Sequence, residues 1–400
     1  MIKLKVLFVS RIYPNEFSSN GRVFHSQAQE LIKQGFEVKV ISPIPFTPTL
    51  FKKHKKLWEE YSRLPNKAKY DGIDVYYPRY IKIPNKLLNK VTRKLSDTSF
   101  INAVMSVINR EMESFEFDLV HCHMTYPDGL VGKSIIEKYK VPFVLSARSS
   151  DLDISINKGI VKDKMLQIYN LSDAIITPSP QLRQKLKENF NYDSTLIGNG
   201  IYPEKLKYVT NVDFNSENRN IILSVSNLMK TKGIQYNIKA MSKLVKEFPD
   251  LLYIVIGDGD YKNELVDLTS ELNLMDHVVF LGNIDHYVAM QYMKKCDIFC
   301  LPSWRETFGL VYLEAMYFNK PVILCENQGI HGIVIDNDSC KVVKPHSEEE
   351  VYKSIKFLLL DKEKRDEISK KGNSLVKNHY TWEKIGDNLK DLYISVNNID

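Results

Sequence analysis

At 400 residues, with 44% hydrophobic and 26% charged side chains, the chain has the size of two domains of roughly 180–200 residues and the balance of a globular protein, which excludes disorder, collagen and a global coiled coil. No uncharged apolar run approaches the roughly 18–20 residues of a membrane span, and Val6–Val9 is too short for a signal peptide. The net charge of +6 is concentrated: thirteen Lys/Arg against four Asp/Glu from Lys52 to Ser96 give that segment +9 and leave the rest at −3, which points to a local anionic partner and away from diffuse nucleic-acid binding.

In chain order, Leu4–Ser10 reads as a buried strand, Val23–Gln34 as a helix closed by Gly35, and Val38–Ile41 as the next strand. Strand signals return at Asp118–His121, Pro142–Ser146 and Ala174–Thr177, with helical stretches between them. Such alternation of short, continuously apolar strands with helices predicts a parallel sheet covered on both faces. Gly200, Pro203 and the polar run Asn211–Glu217 then break both periodicities and mark a boundary. A second series follows, with strands at Ile221–Val225, Leu252–Ile256, Val278–Leu281, Ile298–Leu301 and Val322–Leu324, and helices at Ile234–Lys246, Tyr261–Leu272, His286–Lys295 and Leu310–Phe318. From Ser347 onward the pattern is helical and amphipathic. The fold class expected is α/β, with two doubly wound parallel-sheet (Rossmann-like) domains facing a cleft: residues 1–200, residues 201–380, and a closing helix at 381–400 that returns to the first domain. Five cysteines, an odd number thinly spread, predict no disulfide framework and a reducing, cytoplasmic setting.

Open parallel sheets bind ligands outside their strand C-termini, and the sharpest chemistry lies after such a strand. In Leu301-Pro302-Ser303-Trp304-Arg305-Glu306-Thr307-Phe308-Gly309-Leu310-Val311-Tyr312-Leu313-Glu314, a buried strand ends, a polar loop follows, and a helix opens near Gly309. Glu306 lies in the loop and Glu314 about two turns further along. Between them the helix N-terminus offers unpaired N–H groups suited to phosphate, and Gly309 admits close backbone approach. A ligand with hydroxyls at both ends and phosphates in its middle fits. Taken as two isolated residues, Glu306 would merely complement the helix dipole and Glu314 would be a solvated helix residue.

The block Glu306–Glu314 resembles the E-x7-E motif of retaining nucleotide-sugar glycosyltransferases of family 4, which have the GT-B fold. Collinear segments extend the resemblance over nearly the whole chain: the glycine-bearing loop and helix in Asn15–Val40, the H-x-H of Asp118-Leu119-Val120-His121-Cys122-His123, the "N-G" hinge at Asn199-Gly200, the strand and "K-G" of Ile222–Gly233, Val255-Ile256-Gly257-Asp258-Gly259, Val279-Phe280-Leu281-Gly282, and Tyr380-Thr381-Trp382. Pro127-Asp128-Gly129 and Ala147-Arg148-Ser149-Ser150-Asp151 resemble bacterial cell-envelope polysaccharide enzymes of the teichuronic-acid type.

The resemblance implies the following roles. Glu306, His123 and Lys232 are catalytic: Glu306 contacts the transferred sugar, His123 lies beside it, and Lys232 meets the diphosphate. Gly21, Asn227, Lys232, Phe308, Gly309, Leu310, Glu314 and Gly282 bind the donor, with Glu314 on the ribose hydroxyls. Arg148 and Asp151 lie on the acceptor side. His121 is expected on the packed face, opposite His123. The chain departs from the family in three places: Asn227 stands where an Arg commonly precedes the Lys, Asn20-Gly21 replaces a glycine pair, and Gly332 replaces an acid after a glycine pair. With Asn227 uncharged, either Lys232 and the helix N-terminus suffice for the diphosphate or a further cation enters from Arg11, Arg22 or Arg148.

The activity implied is sugar transfer with retention, without a protein nucleophile, from a nucleotide sugar (UDP first, GDP next) to a glycan or lipid-linked glycan in bacterial surface polysaccharide synthesis. No cofactor and no metal are expected, since His121 and His123 have no ligand partners at structural spacing. The alternative is a catalytically silent relative that binds a transferase or a glycan. In the 52–96 segment, Leu57, Trp58, Leu87, Leu88 and Val91 interleave with Lys and Arg. This suits an anionic membrane surface at the inner face of the cell membrane; a solvated lysine-rich helix pair is the competing reading. Its aromatics match no nucleic-acid stacking module.

Overall fold

The computed structural model describes residues 4–47, 56–83, 90–111, 115–149, 151–152, 159–209 and 219–398. The chain divides into two compact units: residues 1–178, 182–197 and 385–400 form the N-terminal unit, and residues 179–181 and 198–384 form the C-terminal unit.

Among the described residues the N-terminal unit has ten strands: β1 (Lys5–Val9), β2 (Glu37–Ile41), β3 (Ile44–Pro45), β4 (Lys67–Tyr70), β5 (Ile73–Tyr76), β6 (Arg79–Tyr80), β7 (Leu119–Cys122), β8 (Phe143–Ser146), β9 (Ala174–Thr177) and β10 (Thr195–Leu196). Eight of them form one sheet in the order β10-β9-β8-β7-β1-β2-β5-β4, and β3 pairs with β6 separately. All neighbours in the large sheet are parallel except β4 and β5, which form an antiparallel hairpin. The central strands are buried along their length because helices cover both faces: Val6, Leu7, Phe8 and Val9 are all 1% exposed or less. Strand order reverses between β1 and β7, so the loops after these two strands diverge and open a crevice at their C-terminal ends.

The C-terminal unit repeats this plan in a six-stranded, all-parallel sheet, β11 (Ile221–Val225), β12 (Leu252–Ile256), β13 (Val278–Gly282), β14 (Ile298–Leu301), β15 (Val322–Cys325) and β16 (Lys341–Val343), ordered β13-β12-β11-β14-β15-β16. Its switch point falls between β11 and β14, which brings the loop before Lys232 beside the loop carrying Glu306. Helices Glu348–Leu360 and Lys362–His379 close the unit, each started by a side-chain cap: Ser347 Oγ accepts from the Glu350 amide at 3.2 Å and Asp361 Oδ1 from the Lys364 amide at 2.8 Å. The last helix, Trp382–Val396, begins in the C-terminal unit and from Ile385 belongs to the N-terminal one.

The basic segment holds a strand hairpin between two helices. Helix Lys56–Arg63 leads into the β4–β5 hairpin, which extends the main sheet, and helix Lys90–Glu111 follows β6. Residues 52–55 and 84–89, with Leu87 and Leu88, lie outside the described residues, as does the whole Asn211–Glu217 boundary run. All five cysteines are buried and free. Among the described residues no helix is long and apolar enough to cross a membrane.

Candidate active site

In the C-terminal unit the chemistry is assembled by loops after β11 and β14. The Trp304 amide and the Ser303 hydroxyl both donate to the Thr231 carbonyl, at 3.0 and 3.3 Å, stitching the loops together. Gly233, at φ +79°, lies so close beneath Pro302 that a Cβ would sit 2.2 Å from its carbonyl oxygen. This clamp delivers Lys232 to Glu306: Nζ donates to Oε2 at 2.6 Å, and the two side chains are only 18% and 15% exposed. Two residues 74 positions apart thus form a largely desolvated ion pair, whose charges depend on each other for compensation.

Glu306 is held from three sides. Its amide donates to Gln328 Oε1 at 3.1 Å, its carbonyl accepts from the Gly329 amide at 3.1 Å, and its own Oε1 accepts from the Thr307 amide at 3.2 Å. Gly309, at φ +85°, opens helix Leu310–Tyr317 with no side-chain cap, so the first amides of that helix precede any intrahelical acceptor. Phe308 is buried and packs against Gly198, while Leu310 is half-buried. Glu314 stands just over one turn into that helix, and its Oε1 accepts from His286 Nε2 at 2.9 Å. His286 carried no signal in the sequence reading, because a helix-start histidine 28 residues upstream forms no local pattern with Glu314. Gln328 was missed for the same reason.

Asn227 is exposed in the loop after β11, and its carbonyl accepts from the Met229 amide at 2.9 Å. Gly282 ends the edge strand β13, separated from β11 by β12, at φ +69°, with Lys262 Nζ 4.0 Å from where a side chain would begin. The structure therefore brings Lys232, Glu306, Phe308, Gly309 and Leu310 together at one switch point, and places Gly282 at the far edge of the same sheet end.

In the N-terminal unit, Gly21 (φ +81°) begins helix Arg22–Lys33 so close to the loop after β1 that a Cβ would lie 2.1 Å from the Ile12 carbonyl oxygen. His123 follows β7, its amide donating to the Val9 carbonyl at 3.0 Å. The expectation that His121 points opposite to His123 is wrong. Residues two apart on a strand share a face, and the two rings lie 4.1 Å apart, both fully buried. They differ in their partners. His121 is satisfied by Tyr393 Oη at 2.6 Å and Ser146 Oγ at 2.9 Å. His123 packs against Phe8 and Phe24, at 4.3 and 4.6 Å, and neither of its ring nitrogens has a hydrogen-bond partner. Burial, His121 and Arg148 push its pKa well below the usual range, so it is a neutral imidazole able to donate one hydrogen bond and accept another.

Arg148 is buried over the Phe24 ring, 4.8 Å from its centroid, and its Nε has no partner. Asp151 Oδ2 accepts from the Thr125 amide at 2.8 Å, and Asp128 Oδ2 from the Arg11 amide at 3.2 Å. Burial pushes Asp128 up to about 7, opposed by Arg11 and reinforced by Asp151, and pushes Asp151 up to about 6 against the amides and Arg11. Asp128 and Arg11 join Arg148 and Asp151 in one buried polar cluster that the sequence reading had not assembled.

These raised carboxyls have a measurable consequence. Between about pH 4 and 7 the folded chain retains protons that the unfolded chain releases, so stability falls as pH rises through that window and levels off above it. At about 1.4 kcal/mol per pKa unit the loss amounts to a few kcal/mol. Asp128→Asn is expected to flatten the fall in urea midpoint between pH 4.5 and 8; equal slopes in both proteins would show that Asp128 does not hold its proton there.

Two doubly wound units, each with its loops gathered at a switch point, define the GT-B class. Residues 21–205 match the family described as Glycosyltransferase Family 4, and residues 210–375 match Glycosyl transferases group 1. TuaC of Bacillus subtilis (strain 168), assigned to teichuronic acid biosynthesis as a glycosyltransferase, is 25% identical over 366 residues, covering 88% of each chain. The N-acetyl-alpha-D-glucosaminyl L-malate synthase of Bacillus anthracis is 25% identical over 317 residues, 75% of this chain and 79% of that one. HepE of Anabaena, solved in complex with UDP and glucose, has a similar fold with a TM-score of 0.70 at 19% identity, covering 98% of this chain and 100% of that one. This chain belongs to the family 4 glycosyltransferases of GT-B fold.

Proposed function

We propose that the protein is a retaining glycosyltransferase that moves a sugar from a nucleotide sugar, UDP-linked first and GDP-linked next, to a glycan or lipid-linked glycan acceptor in bacterial surface polysaccharide synthesis. The observation that carries this reading is the Lys232–Glu306 pair beside the uncapped helix at Gly309. Cleavage of the sugar–phosphate bond leaves charge on a departing diphosphate, and the site must stabilise that charge as it develops. The Lys232 ammonium and the amides from Gly309 onward supply positive potential without a metal ion. Glu306, released from Lys232 by the arriving diphosphate, accepts from hydroxyls of the transferred sugar. Glu314, oriented by His286, accepts from the ribose hydroxyls. The bond from C1 to the phosphate oxygen breaks, the acceptor oxygen adds to C1 on the same face, and its proton passes to the departing phosphate. His123 hydrogen-bonds a sugar hydroxyl, and Arg148 and Asp151 serve the acceptor. The solved HepE complex supports UDP as the nucleotide, and the TuaC likeness supports the polysaccharide role.

The test is release of UDP from a panel of UDP-sugars, with the product anomer read by NMR. Turnover in EDTA is expected to equal that in buffer. Loss in EDTA that Mg²⁺ restores would overturn metal independence, and an inverted product would overturn retention. Asn227 in place of a second cation favours one other reading, a silent partner; nucleotide-sugar binding with no turnover of any donor would establish it.

The basic segment is proposed to rest on an anionic membrane. Within it Leu57, Ile81 and Leu95 are 49%, 60% and 60% exposed beside the lysines, an arrangement suited to lipid headgroups. Sedimentation with vesicles containing phosphatidylglycerol is expected to exceed that with neutral vesicles; equal sedimentation removes the idea.

A further inference from the structure

Inside the C-terminal unit the β11–β14 ladder stops early. The strands pair at Ile222–Ile298 and Leu223–Phe299 and no further, although β11 runs on to Val225 and β14 to Leu301. They part because the switch point lies between them. Cys300 is the first residue of β14 past the paired stretch, and a buried carbonyl there needs another donor. It accepts from two side chains, Ser224 Oγ of β11 and Asn237 Nδ2, the latter at 3.1 Å. Asn237 Nδ2 also donates to Tyr253 Oη of β12 at 2.9 Å and to Ser224 Oγ at 3.2 Å, and its Oδ1 accepts from Cys300 Sγ at 3.2 Å. Tyr253 Oη and Ser224 Oγ lie 2.7 Å apart. All four residues are 1% exposed or less, so one asparagine ties three strands together in a dry, fully partnered network.

Asn237 stands on helix Ile234–Glu247, which opens at Gly233, the residue after Lys232. The backbone between them is stiff. The Lys232 amide donates to the Met229 carbonyl and the Tyr236 amide to the Gly233 carbonyl, both at 2.9 Å, and the buried Gln235 donates Nε2 to the Lys230 carbonyl at 3.0 Å. A slide of the helix along its axis therefore carries Lys232 with it. The apolar residues on the same face, Ile234, Ile238 and Met241, do not prevent such a slide, because apolar burial has no direction. Hydrogen bonds to fixed strand atoms do prevent it. The other helix of the site is hung in the same way: Tyr312 Oη of helix Leu310–Tyr317 donates to the Leu301 carbonyl at 2.9 Å. The helix behind Lys232 and the helix behind the Gly309 amides are thus both measured from successive carbonyls of β14, the strand that runs into the Glu306 loop.

We propose that Asn237 is a positioning residue for the donor's diphosphate: it fixes the height of helix Ile234–Glu247 on β14 and so holds Lys232 where the diphosphate arrives. It acts through Lys232 and meets no ligand itself. This rests on the reading of the protein as a nucleotide-sugar enzyme and adds to it the residue that aims the cation. A charged contact of this kind tolerates a displacement of only about 0.5 Å.

The experiment compares UDP with uridine by calorimetry on the full chain, because the two differ only in the diphosphate. Wild type is expected to prefer UDP at least tenfold. Asn237→Leu, close in volume, leaves Tyr253, Ser224 and the Cys300 carbonyl bonded to one another. It is expected to weaken UDP about tenfold and uridine less than twofold. Tyr253→Phe removes one buried partner of Asn237 and is expected to weaken UDP about threefold with uridine unchanged. In a Lys232→Gln background both substitutions are expected to change UDP affinity less than twofold, since the cation they aim is gone. Equal losses for UDP and uridine would show a merely structural asparagine and overturn the proposal, as would undiminished UDP affinity or equal losses with and without Lys232. Should Asn237→Leu fail to fold, Tyr253→Phe decides by the same criteria. Wild-type protein that prefers UDP while both variants keep that preference refutes the positioning role alone. Wild-type protein that does not prefer UDP to uridine refutes the donor reading, and the positioning role with it.

Discussion

Glu306→Gln is expected to lower turnover by about 10²–10³-fold while UDP binds at least as tightly as to the wild type. The two effects have one cause. In the free protein Glu306 holds Lys232 at 2.6 Å, so a diphosphate must displace a carboxylate to reach the ammonium. The amide keeps the shape and the bonds to Gln328 and Gly329 but surrenders the charge, leaving Lys232 uncompensated until a phosphate arrives. The same amide is a poorer acceptor for sugar hydroxyls when positive charge develops at C1, and turnover suffers there. Steady-state kinetics with UDP calorimetry separates the terms. Unchanged turnover, or UDP affinity weakened tenfold, would remove Glu306 from both roles.

Gly257→Ala is expected to destabilise the C-terminal unit by about 3–5 kcal/mol and to abolish donor binding. Gly257 sits at φ +131°, a conformation L side chains rarely adopt, and its Cβ would lie 1.8 Å from the Ser226 carbonyl oxygen. That contact is backbone on backbone, so no rotamer change relieves it. The Ser226 amide donates to the Ile256 carbonyl at 3.0 Å, so separating the chains breaks the end of the β11–β12 ladder. The loop that presents Lys232 starts there. A melting temperature within 2 °C of wild type with UDP affinity intact would show that the loop tolerates the shift.

The central strands were legible because their physics is local. Ile221–Val225, Leu252–Ile256, Ile298–Leu301 and Ala174–Thr177 are apolar runs bounded by polar residues, and the structure has strands at those positions. The β4–β5 hairpin was not legible. Lys-Ala-Lys-Tyr shows the sheet only half-buried residues and reads as solvated chain until Ile73–Tyr76 pairs with β2 and folds it against the edge. Lys232 and Glu306 could be named from motifs, but their contact is tertiary. His286, Gln328, Asp128 and Arg11 acquire meaning only when distant loops converge, and no spacing announces that. The misplacement of His121 has a different origin: the two-residue period of a strand was applied with the wrong sign.

The last helix imposes an order on biosynthesis. Tyr393, which satisfies the buried His121, emerges from the ribosome after the whole of residues 198–384. The N-terminal unit, though translated first, cannot complete its interior until its final segment appears, so the usual N-to-C sequence of domain folding is inverted here. During that interval the first unit waits with His121 lacking its Tyr393 partner. Exposure of the nascent first unit to chaperones is therefore set by the translation time of the second.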